Sequence, residues 1–163
     1  MPEKIRTFIA IELSEEALGY FSEVQDAMKR EVGPGVKWVS PQHVHLTLKF
    51  LGGVAADRID DLKTALEMAA DGFGPMTLTM GGAGQFPPRG RARVIWLAVD
   101  EASGQLATLQ EAVASAAEPW AEKKEPPRPY HAHVTLARVR DARKAGNVTG
   151  AVAEAQQNTG PSF

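Results

Sequence analysis

Two short segments of the sequence hold all four of its histidines, and both have the same internal spacing. Residues 43–48 read His-Val-His-Leu-Thr-Leu, and residues 131–136 read His-Ala-His-Val-Thr-Leu. Successive side chains on a β-strand point to opposite faces, so residues two apart share a face. A strand would therefore aim the second histidine of each segment the same way as its threonine. The two pairs are His45 with Thr47 and His133 with Thr135.

Two imidazoles directed at one centre suit in-line displacement at phosphorus. A neutral imidazole takes a proton from the attacking oxygen while a protonated one donates to the leaving oxygen, and histidine supplies both forms near neutral pH. Threonine hydroxyls donate hydrogen bonds to the non-bridging phosphate oxygens. No cofactor is expected, because the sequence has neither a GxxxxGK phosphate loop nor an aspartate-rich cluster for magnesium.

Two other interpretations of the histidines compete with catalysis. A lone histidine is more often structural, but two copies in matching contexts favour a functional site. The paired His-x-His spacing also suits zinc, although a metal site needs no hydroxyl at that offset and acidic ligands are missing nearby. We therefore expect no metal. His43 and His131 are expected to be solvent-exposed neighbours, or else helpers that bind phosphate.

Strands and helices alternate around the motifs in an order that predicts an α+β fold with mainly antiparallel sheets. Ser14 is expected to cap the first helix, and Gly52-Gly53 to end the strand that carries the first motif. Residues 81–91 are expected to form a flexible, basic connection. Predicted strands are 5–13, 36–39, 44–51, 76–80, 93–99 and 133–139, and predicted helices are 15–32, 57–70, 103–120 and, more weakly, 141–157.

Composition and charge limit the class of protein. The chain has 163 residues, no cysteine and a formal net charge of -2, so a nucleic-acid substrate needs a local basic site. Without cysteine, disulfides and thiolate nucleophiles are excluded. The N-terminus lacks a signal-peptide core and no apolar run could span a bilayer, which favours a cytoplasmic protein.

The paired motif resembles the two-histidine (2H) phosphoesterase superfamily, and most closely its RNA 2′,3′-cyclic phosphodiesterase branch, also called LigT-like or 2′-5′ RNA ligases. The similarity extends over nearly the whole chain. It covers the opening strand at 6–11, the first catalytic segment at 36–39 and 45–52, the middle hairpin at 86–87 and 93–97, and the second motif at 133–138.

The resemblance implies a bilobal, pseudo-twofold fold in which two mainly antiparallel sheets line a central cleft, with helices on the outer faces. It implies metal-free hydrolysis of RNA 2′,3′-cyclic phosphate ends to 2′-phosphomonoesters, with His45 as acid and His133 as base, and the reverse 2′-5′ ligation. The expected partner is an RNA end, and the expected state is a monomer. A phosphodiesterase for small cyclic or 2′-5′-linked nucleotides and a non-catalytic RNA-end binding module remain alternatives.

Two further basic residues follow the motifs. Lys49 has the same strand parity as His45 and Thr47, which predicts a substrate contact. Arg138 has the opposite parity to His133 and reaches the site only if a bulge or the strand end turns it. The family pattern nevertheless implies a phosphate-binding role for Arg138.

The middle hairpin offers further substrate contacts. Arg89 and Arg91 could form a local positive patch with the nearby Arg93, or an ordinary solvated loop. Phe86 could stack on a base or anchor the loop in the core. Trp38 and Trp96 are expected in the core.

The sequence departs from the family pattern at two places. Related sequences often have proline just before the second catalytic histidine, where this chain has Ala132. The chain also stops at 160–163, about where relatives begin their final strands. We therefore expect one bilobal domain over 1–163 that lacks those strands and leaves a sheet edge unpaired.

Overall fold

The computed structural model describes residues 2–126, 128–156 and 160–163. The strands are β1 (Lys4–Ile11), β2 (Val36–Trp38), β3 (Leu46–Ala55), β4 (Thr79–Phe86), β5 (Val94–Asp100) and β6 (His133–Val139). The helices are α1 (Glu15–Lys29), α2 (Ile59–Ala70), α3 (Gln105–Ala117), α4 (Ala142–Ala145) and α5 (Val148–Ala155). The contacts divide the chain into two compact units, the first formed by 1–11, 47–76 and 101–131, the second by 12–46, 77–100 and 132–163.

The first unit contains a two-stranded sheet, β1 beside β3, together with α2 and α3. The Ala56 N–H donates to the Glu3 carbonyl at 2.8 Å, which joins the end of β3 to the start of β1. The core of this unit consists of apolar side chains from β3 and both helices, which explains their amphipathic spacing. Its buried centre is formed by Leu51, Val54, Leu62 and Ala117.

The second unit contains a four-stranded antiparallel sheet in the order β2-β6-β5-β4. Alternate residues of β5 are buried, as Ile95 and Leu97 show at 0% exposure, while Trp96 between them is half-buried. Helix α1 covers the buried face, beginning after Ser14, whose hydroxyl accepts from the Ala17 N–H at 3.1 Å. The other face carries the polar side chains of β6.

The expected end of β3 at Gly52-Gly53 is wrong, because the strand continues to Ala55. Gly52 has φ of +79°, and a Cβ there would lie 2.7 Å from a carboxylate oxygen of Glu122. The Gly53 N–H donates to the same carboxylate at 3.0 Å. These two glycines therefore admit a neighbouring side chain instead of ending the strand.

The expected flexible connection over 81–91 is also wrong in its first half, since Gly81 to Phe86 belong to β4. A Cβ on Gly84 would collide with the indole ring of Trp96 on the paired strand. Glycine allows this close approach, and it also removes the alternating pattern by which a strand is recognised in a sequence.

The α+β fold with two sheets is confirmed, and β6 has the predicted bounds. The weak helix predicted over 141–157 is two short helices separated at Gly146, where φ is +70°. Gln157, at its expected end, lies outside the described residues. Within the described ranges, no helix is long and apolar enough to cross a membrane.

Candidate active site

The second His-Thr pair lies on the open face of the four-stranded sheet. His133 pairs with Ala98 of β5, and Thr135 pairs with Trp96. The alternate residues Val134 and Leu136 are 0% exposed, so the histidine and the threonine point together away from the core. The expected shared face of this pair is therefore present in the structure.

Two aromatic rings surround the His133 imidazole. The Phe86 ring meets it edge-on, with centroids 5.1 Å apart and an interplanar angle of 85°. The Trp96 ring lies 6.1 Å from the imidazole and 5.1 Å from Phe86. Such contacts are favourable and restrict the orientation of the imidazole. Trp96 is thus beside the motif and half-buried, not in the core as expected, and Phe86 contributes its ring to the same cluster.

A β-bulge in β6 places Arg138 on the face of His133 and Thr135. Trp96 pairs with Thr135, but the preceding Ile95 pairs with Ala137, which leaves Leu136 as an extra residue. Both Leu136 and Ala137 are 0% exposed, and Arg138 after them is exposed. The bulge shifts the alternation of side chains by one residue. Arg138 therefore lies on the same face as His133 and Thr135, although strand alternation alone had placed it on the opposite face.

Lys37 is a basic residue of this face that the sequence analysis missed. It pairs directly with Arg138 across β2 and β6, so the two exposed side chains lie on the same side of the sheet. Trp38, the next residue, points to the other side, where its ring lies 5.6 Å from the Lys29 ammonium of α1. Strand alternation alone could not show that Lys37 opposes Arg138.

Gln25 of α1 holds the backbone at the bulge. Its side chain is 3% exposed, and its amide nitrogen donates to the carbonyls of Val39 at 2.7 Å and Leu136 at 3.0 Å. The Val39 N–H also donates to the Leu136 carbonyl, at 2.9 Å. A polar residue in the buried stripe of a helix is the sequence feature that could have identified Gln25.

The first histidine has a different setting. His45 lies one residue before β3 and after a short 3₁₀ turn at Pro41–His43, so the expectation that it lies on a strand is wrong. Its neighbours Val44 and Leu46 are 5% and 0% exposed, and they hold the half-buried His45 between two core anchors. A 3₁₀ turn forms here because Pro41 begins it and cannot donate to a strand.

The other first-motif residues, Thr47 and Lys49, belong to the first unit. The exposed Thr47 lies in β3, and its carbonyl accepts a hydrogen bond from the Tyr130 hydroxyl at 2.8 Å. Burial raises the pKa of Tyr130 to about 12, so the hydroxyl remains a donor even in alkaline solution. The Lys49 ammonium lies 3.5 Å from a Glu118 carboxylate oxygen, which offsets the positive charge expected to bind substrate.

The arginines of the hairpin loop are exposed, and a buried glutamine holds the loop. The Gln85 amide nitrogen donates to the carbonyls of Pro87 at 3.1 Å and Gly90 at 3.2 Å. A cavity of about 540 Å³ opens beside this loop. Arg91 lines it and Arg89 does not; the lining residues are Pro87, Arg91, Ala92, Arg93, Val139, Arg140 and Ala142.

Of the expected site residues, the structure brings His133, Thr135, Arg138 and Phe86 together on one sheet face. His43 and His131 are exposed, as expected of neighbours to the motifs. Among the described residues, no group of three histidine or acidic side chains is arranged to hold a metal ion. A sheet face that carries hydroxyl, imidazole and guanidinium groups can accept a proton, donate hydrogen bonds and neutralise the charge of a phosphate.

Known proteins are similar to this chain in sequence and in fold. The model of the 2′-5′ RNA ligase superfamily matches residues 21–161. An RNA 2′,3′-cyclic phosphodiesterase of Methanothermobacter thermautotrophicus is 29% identical over 153 residues, covering 94% of this chain and 81% of its own. Another, from Thermotoga maritima, is 37% identical over 108 residues, covering 66% of this chain and 57% of its own.

Solved structures agree with the sequence comparison. A protein of Thermus thermophilus matches 98% of this chain and 83% of its own with a TM-score of 0.77 and 26% identity. Escherichia coli LigT, crystallised with 3′-AMP, matches 99% and 83% with a TM-score of 0.70 and 28% identity. The chain therefore belongs to the 2′-5′ RNA ligase superfamily and is a phosphodiesterase of that family, as its paired motifs predict.

Proposed function

We propose that this protein hydrolyses RNA 2′,3′-cyclic phosphodiester ends to 2′-phosphomonoesters by metal-independent acid–base catalysis. The observation that carries the proposal is the face of β6, where the bulge aligns Arg138 with His133 and Thr135. A guanidinium beside an imidazole and a hydroxyl suits a phosphodiester that changes charge distribution during displacement. Relatives named RNA 2′,3′-cyclic phosphodiesterase support this substrate class.

In the proposed reaction, His133 takes a proton from water as the water oxygen bonds to phosphorus. The bond from phosphorus to O3′ breaks, and His45 donates a proton to that oxygen. The phosphate remains on O2′ as a monoester. Thr47 and Thr135 donate hydrogen bonds to the non-bridging oxygens. The aromatic contacts of His133 favour a single imidazole orientation, which reduces the entropy lost in reaching the transition state.

The same groups serve 2′-5′ ligation when the nucleophile is an RNA hydroxyl instead of water. The 5′-hydroxyl of a second RNA would take the place of water, lose its proton to His133 and bond to the cyclic phosphate. Cleavage of the bond to O3′ then leaves a 2′-5′ linkage. Because ligation forms one phosphodiester as it opens another, it needs no nucleotide cofactor.

RNA is favoured over a small nucleotide by the basic cavity beside the hairpin. Arg91, Arg93 and Arg140 line it, and none of them has an ion-pair partner among the described residues. Additional backbone phosphates of an oligonucleotide can occupy such a site, whereas a single nucleotide has none to offer. The proposed partner is therefore an RNA end, and we propose separately that the protein is a cytoplasmic monomer.

One product assay tests the proposal. A 5′-end-labelled oligonucleotide that carries a 2′,3′-cyclic phosphate is incubated with the protein in EDTA, and the position of the phosphate is determined. We expect a 2′-phosphomonoester, with higher kcat/KM for an oligonucleotide than for the matching mononucleotide. Loss in EDTA with recovery in zinc would instead support metal catalysis. Binding without turnover would support the RNA-end binding module.

A further inference from the structure

Two like charges oppose each other on the open face of the second sheet. Lys37 and Arg138 are directly paired on neighbouring strands, and both side chains are exposed. Like charges in directly opposite positions destabilise a sheet. Among the described residues, neither side chain has a carboxylate within ion-pair distance. An anion placed between the two side chains would remove this repulsion.

We propose that Lys37 is a second phosphate-binding residue, which acts with Arg138 on the reacting phosphate, and that Gln25 positions the pair. The inference rests on the proposed function, because it assigns the ligand as the cyclic phosphate. Thr135 and Arg138 lie on the same face on either side of the bulge, so hydroxyl, guanidinium and ammonium groups face one region. A guanidinium offers two parallel donors to phosphate oxygens, and an ammonium adds a point charge.

The pairing of Lys37 with Arg138 depends on the bulge. Without the extra residue Leu136, strand alternation would put Arg138 on the buried face with Val134. Gln25 bonds the Leu136 carbonyl and the Val39 carbonyl with one amide nitrogen, and thereby ties the bulge to the residue that follows β2. Gln25 is therefore a positioning residue that acts through the register of β6.

The basic pair is tested with steady-state kinetics on a 2′,3′-cyclic mononucleotide and with inorganic phosphate as competitive inhibitor. Lys37→Ala and Arg138→Ala should each raise the inhibition constant of phosphate about 10-fold and lower kcat/KM similarly. Lys29→Ala is the matched control, since Lys29 lies against Trp38 on the other side of the sheet, and it should change neither value. An unchanged phosphate constant in Lys37→Ala, or an effect seen only with oligonucleotides, would overturn the assignment to the reacting phosphate.

The role of Gln25 is tested with a double-mutant cycle. Gln25→Met keeps the length of the side chain but removes the donor, and it should lower kcat/KM about 10-fold in the wild type and less than about 2-fold in Arg138→Ala. Gln85→Met is the matched control, because Gln85 also donates twice to backbone carbonyls, and its effect should be equal in both backgrounds. Equal effects of Gln25→Met in both backgrounds would show a general structural role and overturn the inference.

The two proposals fail in different ways. If the wild type does not turn over a 2′,3′-cyclic phosphate, the proposed RNA-end hydrolysis is overturned. The roles of Lys37 and Gln25 can still be tested in that case, by comparing the phosphate affinities of the wild type and the variants by calorimetry. If Gln25→Met does not fold, as thermal unfolding would show, Gln25→Ala replaces it, because a smaller apolar side chain also cannot donate. Turnover with unaltered phosphate affinity in all three variants would leave the activity standing and remove the inference.

Discussion

The two His-Thr segments have the same sequence pattern but different structural support. In the second segment, His133 and Thr135 lie inside an antiparallel sheet, where each has a cross-strand partner on β5. In the first, His45 precedes its strand, and the division between the two compact units falls between Leu46 and Thr47. A repeated motif therefore does not imply that its two copies are held by the same contacts.

The difference suggests how each segment reaches its geometry. The second is held by ladder hydrogen bonds, by the Phe86 and Trp96 rings, and by the bulge that Gln25 supports. The first depends on the buried neighbours of His45 and on the bond from Tyr130 to the Thr47 carbonyl. We expect substitutions on the polar face of the second segment to lower activity with little effect on stability, and substitutions that disturb its packing to lower stability as well.

The largest effect is expected from the histidines themselves. His45→Ala and His133→Ala should each lower kcat by about 100-fold to 10,000-fold, because each removes one proton transfer. His43→Ala and His131→Ala are matched controls, since both side chains are exposed and lie outside the His-x-Thr unit. Near-normal turnover by either of the first two variants would contradict the paired mechanism.

The pH dependence distinguishes the two histidines. The wild-type rate should follow a bell, because the base must be neutral and the acid protonated. If His45 is the acid, residual turnover of His45→Ala should no longer fall at high pH, and that of His133→Ala should no longer fall at low pH. If the two variants show each other's expected profile, His133 is the acid and His45 is the base, and the two-histidine mechanism still holds.

The threonines should give the next largest effect. Thr47→Val and Thr135→Val keep the shape of the side chain and the preference for a strand but remove the hydroxyl. Each should lower kcat about 100-fold, as expected for loss of a transition-state donor. Thermal unfolding should be nearly unchanged for both. A large loss of kcat in only one of the two variants would show that only one threonine stabilises the transition state.

A substitution on the sheet face of the second segment, next to Trp96, should affect stability and activity together. Gly84→Ala places a methyl group against the Trp96 indole, so the ring must shift from its position beside Phe86 and His133. Crowding of this kind should lower the free energy of unfolding by about 1–3 kcal/mol, with a smaller loss of kcat. Gly19→Ala is the control, because its Cβ has open space in helix α1 and should be neutral or stabilising. Equal urea-unfolding midpoints for Gly84→Ala and the wild type would contradict the close approach of the Trp96 ring to Gly84.

The smallest effect is expected at Tyr130, beside the first segment. Burial raises the pKa of Tyr130 from 10.0 to about 12, so the folded protein holds the proton more tightly than the unfolded chain. Its stabilising contribution should be complete below pH 10.0 and be lost as the pH rises to about 12. In Tyr130→Phe, the free energy of unfolding measured with urea should fall less steeply over this pH range. The loss of the hydroxyl should also lower the free energy of unfolding at neutral pH by about 0.5–1.5 kcal/mol. Tyr20, whose pKa is also raised, remains in both proteins, so identical pH slopes would exclude the Tyr130 contribution.

Much of the fold could be predicted from local pattern. Alternating apolar residues identified β6 with its observed bounds, and Ser14 with the acidic residues after it identified the start of α1. The glycine-rich strand β4 could not be recognised, since Gly81, Gly82 and Gly84 have no side chains to alternate. Its strand conformation follows from its pairing with β5 and from the indole that lies against Gly84.

The sequence by itself determined the motif pairs, their threonines and the family, because side-chain type and spacing of two along a strand are local properties. Only the tertiary structure decided that Lys37 opposes Arg138, that Trp96 lies beside His133, and that His45 precedes its strand. It also decided the face of Arg138, which the sequence left open. The physical reason is that a bulge is set by pairing with two neighbouring strands and by a hydrogen bond from Gln25, 111 residues away from Leu136 in the chain.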